Sequence, residues 1–154
     1  ALKLSPYAAN ITGTDIAGRM IEIARKKAFE QNINNVSFQQ ATLDTFPQHN
    51  ASFDVVMGFN ILHLLPTPET TISHVHEILK PNGLFISKTP CLAEKTSLLR
   101  PLIWFMQKIG KAPLVQFISY VALDDMVRAA GFDIIESGIY PAKTGSRFIV
   151  AKRL

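Results

Sequence analysis

The stretch Phe53-Asp54-Val55-Val56-Met57-Gly58-Phe59-Asn60-Ile61-Leu62-His63 limits what this chain can fold into more than any other. A short apolar run starts at Phe53, reaches Gly58, and gives way to the polar Asn60 and His63. It is too short for a stable helix and is bounded by turn formers, which predicts a strand buried on both faces. Such strands belong to parallel sheets covered by helices, where ligands bind beyond the strands' carboxyl ends. Phe59, Asn60 and His63 are therefore expected at the rim where chemistry takes place.

The rest of the chain is placed by its distance from this rim. Residues 1–9 read as the tail of a helix, and 10–14 as a short strand closed by Asp15. Helical spacing runs over 17–31, with Met20, Ile21, Ala24 and Ala28 on one face and Arg19, Arg25, Lys26 and Glu30 on the other. A turn at 32–35 holds asparagines able to enter the left-handed region, and leads to a strand at Val36–Gln40 and a loop at 41–44. Thr67-Pro68 predicts a helix start with a hydroxyl cap and proline at the first position. Its apolar stripe is Ile72, Val75 and Leu79, and Pro81-Asn82-Gly83 is expected to end it. A strand at 84–87, an apolar helical segment at 97–109, an amphipathic helix at 121–130 stopped by Gly131, and strands at 132–139 and 147–151 complete the chain. Strands alternating with helices predict an α/β fold on a mostly parallel sheet, with an antiparallel hairpin at the carboxyl end. At 154 residues the expectation is a single domain spanning 1–154.

The totals exclude several classes. No apolar window is long enough for a membrane span, and the amino-terminal residues show no signal-peptide pattern, so a cytoplasmic home is the expectation. One cysteine, Cys91, rules out an internal disulfide and a cysteine-rich metal site. His49, His74 and His76 have no metal-ligand spacing, and no metal is expected. The net charge of +4 comes from scattered residues apart from Arg25-Lys26-Lys27 and Lys152-Arg153, a pattern that argues against nucleic acid.

Asp15 closes a strand just before a helix. One carboxylate in that place can accept a hydrogen bond from each of two ribose hydroxyls, or it can cap the helix. Ile16 and Met20 suit an apolar floor for a base, and equally a core. Thr42 and Leu43 end the next strand, where a hydroxyl and a backbone amide can meet an adenine edge.

These residues carry a resemblance. Gly13-Thr14-Asp15-Ile16 followed by Met20-Ile21-Glu22-Ile23-Ala24 resembles the second strand and helix of class I S-adenosylmethionine-dependent methyltransferases. Phe53-Asp54-Val55-Val56, Asn60-Ile61-Leu62-His63-Leu64 and Ile78-Leu79-Lys80-Pro81-Asn82-Gly83 resemble their fourth strand and the helix and turn that follow. Ala130-Gly131-Phe132 is similar to the element opening their sixth strand. The set, in order and spacing, covers nearly the whole chain. It implies a Rossmann-like, doubly wound sheet of order 3-2-1-4-5-7-6, with S-adenosylmethionine as cofactor and a small-molecule acceptor. It further implies that Asp15 binds the ribose, that Ile16 and Met20 pack near the adenosine, that Thr42 and Leu43 flank the adenine, and that Phe59 and Asn60 line the cofactor. Two departures stand out. Thr42 occupies a loop that usually offers an acid to the adenine amine. The family's first strand and glycine-rich loop have no counterpart in these residues, so the chain is expected to be an amino-terminally shortened domain whose strands at 11–14 and 54–59 do not pair.

Methyl transfer needs alignment and exclusion of water more than acid–base chemistry. His63 is a candidate base for an attacking hydroxyl or amine, and the plainer reading is a residue that packs or caps at the strand end. Cys91 in Thr89-Pro90-Cys91 reads as a small buried side chain rather than a nucleophile. The apolar run from Leu98 to Met106, with Trp104 and Phe105, falls where this family varies its substrate-recognition insertions. It suits a cover over an apolar substrate, peripheral contact with a membrane or partner, or a helix buried on most sides. Competing readings are a methyltransferase-like module that binds without turnover, and a dehydrogenase using Asp15 for a dinucleotide ribose.

Overall fold

The computed structural model describes residues 1–42, 46, 51–94, 115–141 and 145–154. Two compact units divide the chain, Ala1–Pro47 and Gln48–Leu154.

In the first unit a 3-10 helix at Leu2–Tyr7 precedes β1 (Ile11–Asp15), α1 (Gly18–Glu30) and β2 (Val36–Gln40). β1 and β2 pair in parallel from Ile11 opposite Val36 to Asp15 opposite Gln40. Ile21 and Ala28 form the buried stripe of α1, while Met20, expected on that stripe, is 54% exposed. Asn32 takes the left-handed conformation (φ 54°) in the turn after α1, a region open to asparagine at low cost.

The second unit holds β3 (Phe53–Phe59), α2 (Pro68–Ile78), β4 (Leu79–Pro90), α3 (Tyr120–Ala129), β5 (Phe132–Ile139) and β6 (Ser146–Arg153), with 3-10 turns at Leu62–Leu64 and Leu92–Glu94. The sheet order is β3-β4-β6-β5. β3 runs parallel to β4, and β6 runs antiparallel to both β4 and β5, so three of the four strands point the same way. Among the described residues β1 and β3 belong to different sheets, and the order within each sheet is one that the resemblance implies.

Phe85, Ser87, Thr89, Ile149, Ala151 and Phe132 lie on the covered face of this sheet. Ile72, Val75 and Ile78 of α2 and Leu123 and Val127 of α3 supply the apolar stripes of the same core. Gly131 (φ 90°) ends the α3 segment, and a side chain there would run into the His76 ring, so glycine is needed for conformation and space together.

Three expectations are corrected. β3 is not buried on both faces: Val55, Met57 and Phe59 are 39%, 45% and 52% exposed. Among the described residues β3 pairs only with β4, so it is an edge strand. The helix before β4 ends at Ile78, not at Pro81-Asn82-Gly83, because Leu79 is already extended and pairs with Phe53. The 80–83 segment is accommodated as an irregularity in that ladder, with Asn82 at φ 63°. Thr67 precedes Pro68 at the start of α2 but makes no side-chain capping bond. The hydroxyl cap stands instead at Ser119, which accepts from the Ala122 amide at 3.1 Å.

α3 is fastened to the sheet by a bidentate pair. Arg147 of β6 donates from Nε to Asp124 Oδ1 at 3.0 Å and from Nη2 to Asp124 Oδ2 at 2.5 Å, with a further bond to Ser137 Oγ at 3.0 Å. Both side chains are mostly buried, 17% and 13% exposed. The Asp124 hydrogen bonds hold the Arg147 guanidinium above its usual range. Removing one member strands a shielded charge. Asp124→Ala is expected to lower stability by about 2–4 kcal/mol, read as a drop in Tm of roughly 5–12 °C. The double change Asp124→Leu with Arg147→Met should cost less than the single one. Calorimetric melting of the three proteins checks this, and a double variant less stable than the single would contradict it.

Candidate functional site

Each unit presents its own group of candidate residues at the carboxyl ends of its parallel strands, the position where open α/β sheets bind ligands.

In the first unit β1 ends at Asp15 and β2 at Gln40, directly opposite. Asp15 Oδ1 accepts from the Ala17 amide at 2.8 Å, the short Asx turn that leads the chain into α1. Asp15 Oδ2 takes no hydrogen bond among the described residues. The two readings of Asp15 are thus compatible: one oxygen holds the turn and the other faces outward. The Ala41 amide bonds Asp15 O at 3.2 Å and carries the β1–β2 ladder one step further. Beside it, Ile16, Gln40, Ala41 and Thr42 line a shallow depression of about 270 Å³. Ile16 and Thr42, picked from the sequence, come together there. Ile16 is 70% exposed, as is much of Met20 in the first turn of α1, so neither serves as core. Large apolar side chains left open beside a carboxylate and a polar strand end suit a nucleoside, which needs flat apolar contact and hydroxyl acceptors.

Gln40 is the residue that sequence reasoning missed. Its Nε2 donates to Ile16 O at 3.0 Å, fixing the backbone just after Asp15. The amide also lies against Gly18, where a β-carbon would sit 2.9 Å from Gln40 Oε1. A glycine at the first position of a helix, opposite a strand ending in glutamine, is a signal too faint to read without the fold. A wider depression of about 400 Å³ lies by Arg25, Ala28, Phe29 and Val36, and reaches the beginning of β2, away from the strand ends.

In the second unit Phe59 ends β3 half exposed. Asn60 follows in the left-handed conformation (φ 56°), and its amide bonds Lys88 O at 2.8 Å. His63 lies in the 3-10 turn Leu62–Leu64, whose Leu62 is buried. Its Nδ1 is enclosed and has no hydrogen-bond partner among the described residues, which leaves Nε2 as the nitrogen open to the surface. Burial lowers the imidazole's pKa from its ordinary 6.5, so the ring is neutral at neutral pH and able to accept a proton. Gln116 crosses this turn, donating its amide to His63 O at 2.7 Å and its Nε2 to Pro66 O at 3.1 Å. Cys91 is buried, as read from the sequence. Among the described residues no cluster of histidine, cysteine or carboxylate side chains could hold a metal ion, and no helix is long and apolar enough to cross a membrane. Leu43, Trp104 and Phe105 lie outside the described residues.

Comparison with known proteins agrees with this picture. The Bacillus subtilis protein called uncharacterized methyltransferase YcgJ is 33% identical over 86 residues, 56% of this chain and 34% of that protein. A ubiquinone biosynthesis O-methyltransferase of Cereibacter sphaeroides is 28% identical over 132 residues, 83% of this chain and 53% of that protein. The chain thus spans between about a third and about half of the curated relatives it matches. A solved SAM-dependent methyltransferase from Methanosarcina mazei superposes with a TM-score of 0.78 at 19% identity, covering 99% of this chain and 86% of that one, a likeness of fold. A family model described as a methyltransferase domain matches residues 2–114. With a Rossmann-like α/β fold and a match across most of its length, this chain belongs to the methyltransferase domain family, whose implied cofactor is S-adenosylmethionine.

Proposed function

We propose that this chain belongs to an enzyme that transfers a methyl group from S-adenosylmethionine to a small apolar acceptor. The observation that carries this reading is the depression lined by Ile16, Gln40, Ala41 and Thr42 where β1 and β2 end, together with an Asp15 that spends one carboxylate oxygen on the Ala17 amide and an exposed Met20. When bound, the cofactor supplies an activated methyl on a sulfonium, so the protein's task is chiefly alignment. Asp15 Oδ2 accepts from the ribose hydroxyls. Ile16 and Met20 cover the base, and Thr42, Gln40 and the Leu43 backbone meet its edge. Phe59 and Asn60 bound the rim of the second unit. His63, neutral through burial, takes the proton from the attacking group at Nε2. Relatives named for ubiquinone biosynthesis are O-methyltransferases, and a hydroxyl on an apolar ring suits both a neutral imidazole and the apolar run from Leu98 to Met106. A metal plays no part in this scheme.

Asp15→Ala in the full-length protein is expected to weaken S-adenosylmethionine binding about 100-fold, since two charge-assisted hydrogen bonds are lost. Titration calorimetry reads it directly; unchanged affinity would leave Asp15 as a turn residue alone.

For His63 the sign follows from its neutral form. A base with a lowered pKa loses its proton at lower pH, so activity should rise with pH along a limb lying below 6.5. His63→Gln should abolish that limb and cut kcat about 100-fold or more. A limb that persists in the variant assigns the proton transfer elsewhere.

Replacing Trp104 and Phe105 together with alanine should raise KM for an apolar acceptor about tenfold, the loss of apolar contact, and leave cofactor affinity unchanged. Steady-state kinetics with cofactor calorimetry separate the two, and a joint fall in both affinities and Tm would make the segment core.

A further inference from the structure

The 3-10 turn that carries His63 is anchored by one buried side chain, Leu62, and its backbone has few bonds of its own. It is three residues long, and within it only local bonds are made, Leu64 N to Ile61 O at 2.8 Å and Leu65 N to Leu62 O at 3.3 Å. Short 3-10 turns have poor hydrogen-bond geometry and drift unless tied from outside. The tie here comes from a residue far along the chain. Gln116 reaches one carbonyl inside the turn and one just past it, His63 O through its backbone amide at 2.7 Å and Pro66 O through its side-chain amide at 3.1 Å. A single residue thus spans the turn on both sides of Leu64 and Leu65. Pro66 cannot donate a hydrogen bond, so its carbonyl is the group by which the end of the turn can be held. Gln116 is itself anchored nearby: Ile118 is buried, and its carbonyl accepts from Ala93 N at 3.4 Å, just past β4.

We propose that Gln116 is a positioning residue that clamps the His63 turn at two points and so fixes the imidazole at the strand rim. The proposal deepens the reading of His63 as the proton acceptor and rests on it for its purpose, although the clamp itself is independent of turnover. The clamp holds backbone on either side of the ring, which keeps Nδ1 enclosed and Nε2 outward. It also joins the candidate base to the segment that follows the apolar run in sequence. Of the elements packed against the turn, α2 carries Glu69, His74, His76 and Glu77, and β4 carries Lys80 and Lys88. Burial is what lowers the His63 pKa.

The test uses the full-length protein and needs no acceptor. The four imidazoles are titrated by NMR in the wild type, Gln116→Ala and Gln116→Met, with His63→Gln assigning the His63 signal. Gln116→Met keeps the length of the side chain and removes its amide, so the bond to Pro66 O is lost while the backbone bond to His63 O stays. In the wild type His63 titrates below 6.5. In both variants its curve should move up toward 6.5 while that of His76 stays in place, and the amide of residue 116 should exchange about tenfold faster. An unmoved His63 curve in both variants overturns the proposal. So does a collapse of all four imidazoles onto one curve in both, since Gln116 would then be a general packing residue. Failure of the methyl-transfer reading would show differently, as a wild type with the expected titration and no binding of S-adenosylmethionine.

Discussion

A strand inside a sheet has to satisfy the hydrogen-bonding groups on both of its edges, and β4 does so with partners running in opposite directions. On one side β3 lies parallel from Phe53 to Phe59, and on the other β6 lies antiparallel from Ser146 to Lys152. The rest of the second unit hangs on this. The parallel partner brings the rim of Phe59 and Asn60 level with Lys88, and the antiparallel one carries Arg147 to the point where Asp124 of α3 meets it. At the opposite end Arg153 of β6 bonds the carbonyls of Glu77 and Leu79, where α2 hands over to β4. Cations at a helix carboxyl end are favoured by its dipole, so this junction is secured by charge as well as by the ladder.

The elements that repeat with a clear period were legible from the sequence. β2 and β5 lie at the ranges expected of them, and α1 and α3 lie within a residue or so of theirs. What could not be read was burial that depends on neighbours. An unbroken apolar run suggests a strand covered on both faces, yet Val55, Met57 and Phe59, which share one face, are open. The junction at Leu79 was misplaced for a similar reason. Its side chain continues the apolar stripe of α2, and only pairing with Phe53 pulls its backbone into the sheet. Propensity is local, and strand pairing is not.

The candidate residues divide in the same way. Asp15, Ile16 and Thr42 were identified by standing at the ends of strands, and the structure puts Ile16 and Thr42 in the lining of one depression. Gln40 and Gln116 were invisible because each works through a carbonyl that no pattern marks, Ile16 O in one case and Pro66 O in the other. The side chains that meet a ligand are chosen from types with obvious chemistry, whereas those that hold them in place need only an amide and the right distance.

Asn60 separates two demands that usually fall on different residues. Its backbone must be left-handed for the chain to leave β3 and still bond Lys88, while its side chain stands at the rim. Glycine at this position would keep the path of the chain and delete the amide, whereas alanine would delete the amide and add strain. A library at Asn60 therefore sorts itself: glycine and aspartate probe chemistry on an undistorted backbone, and β-branched residues probe the backbone first. For anyone reshaping the rim toward a new acceptor, this one position tells contour from contact.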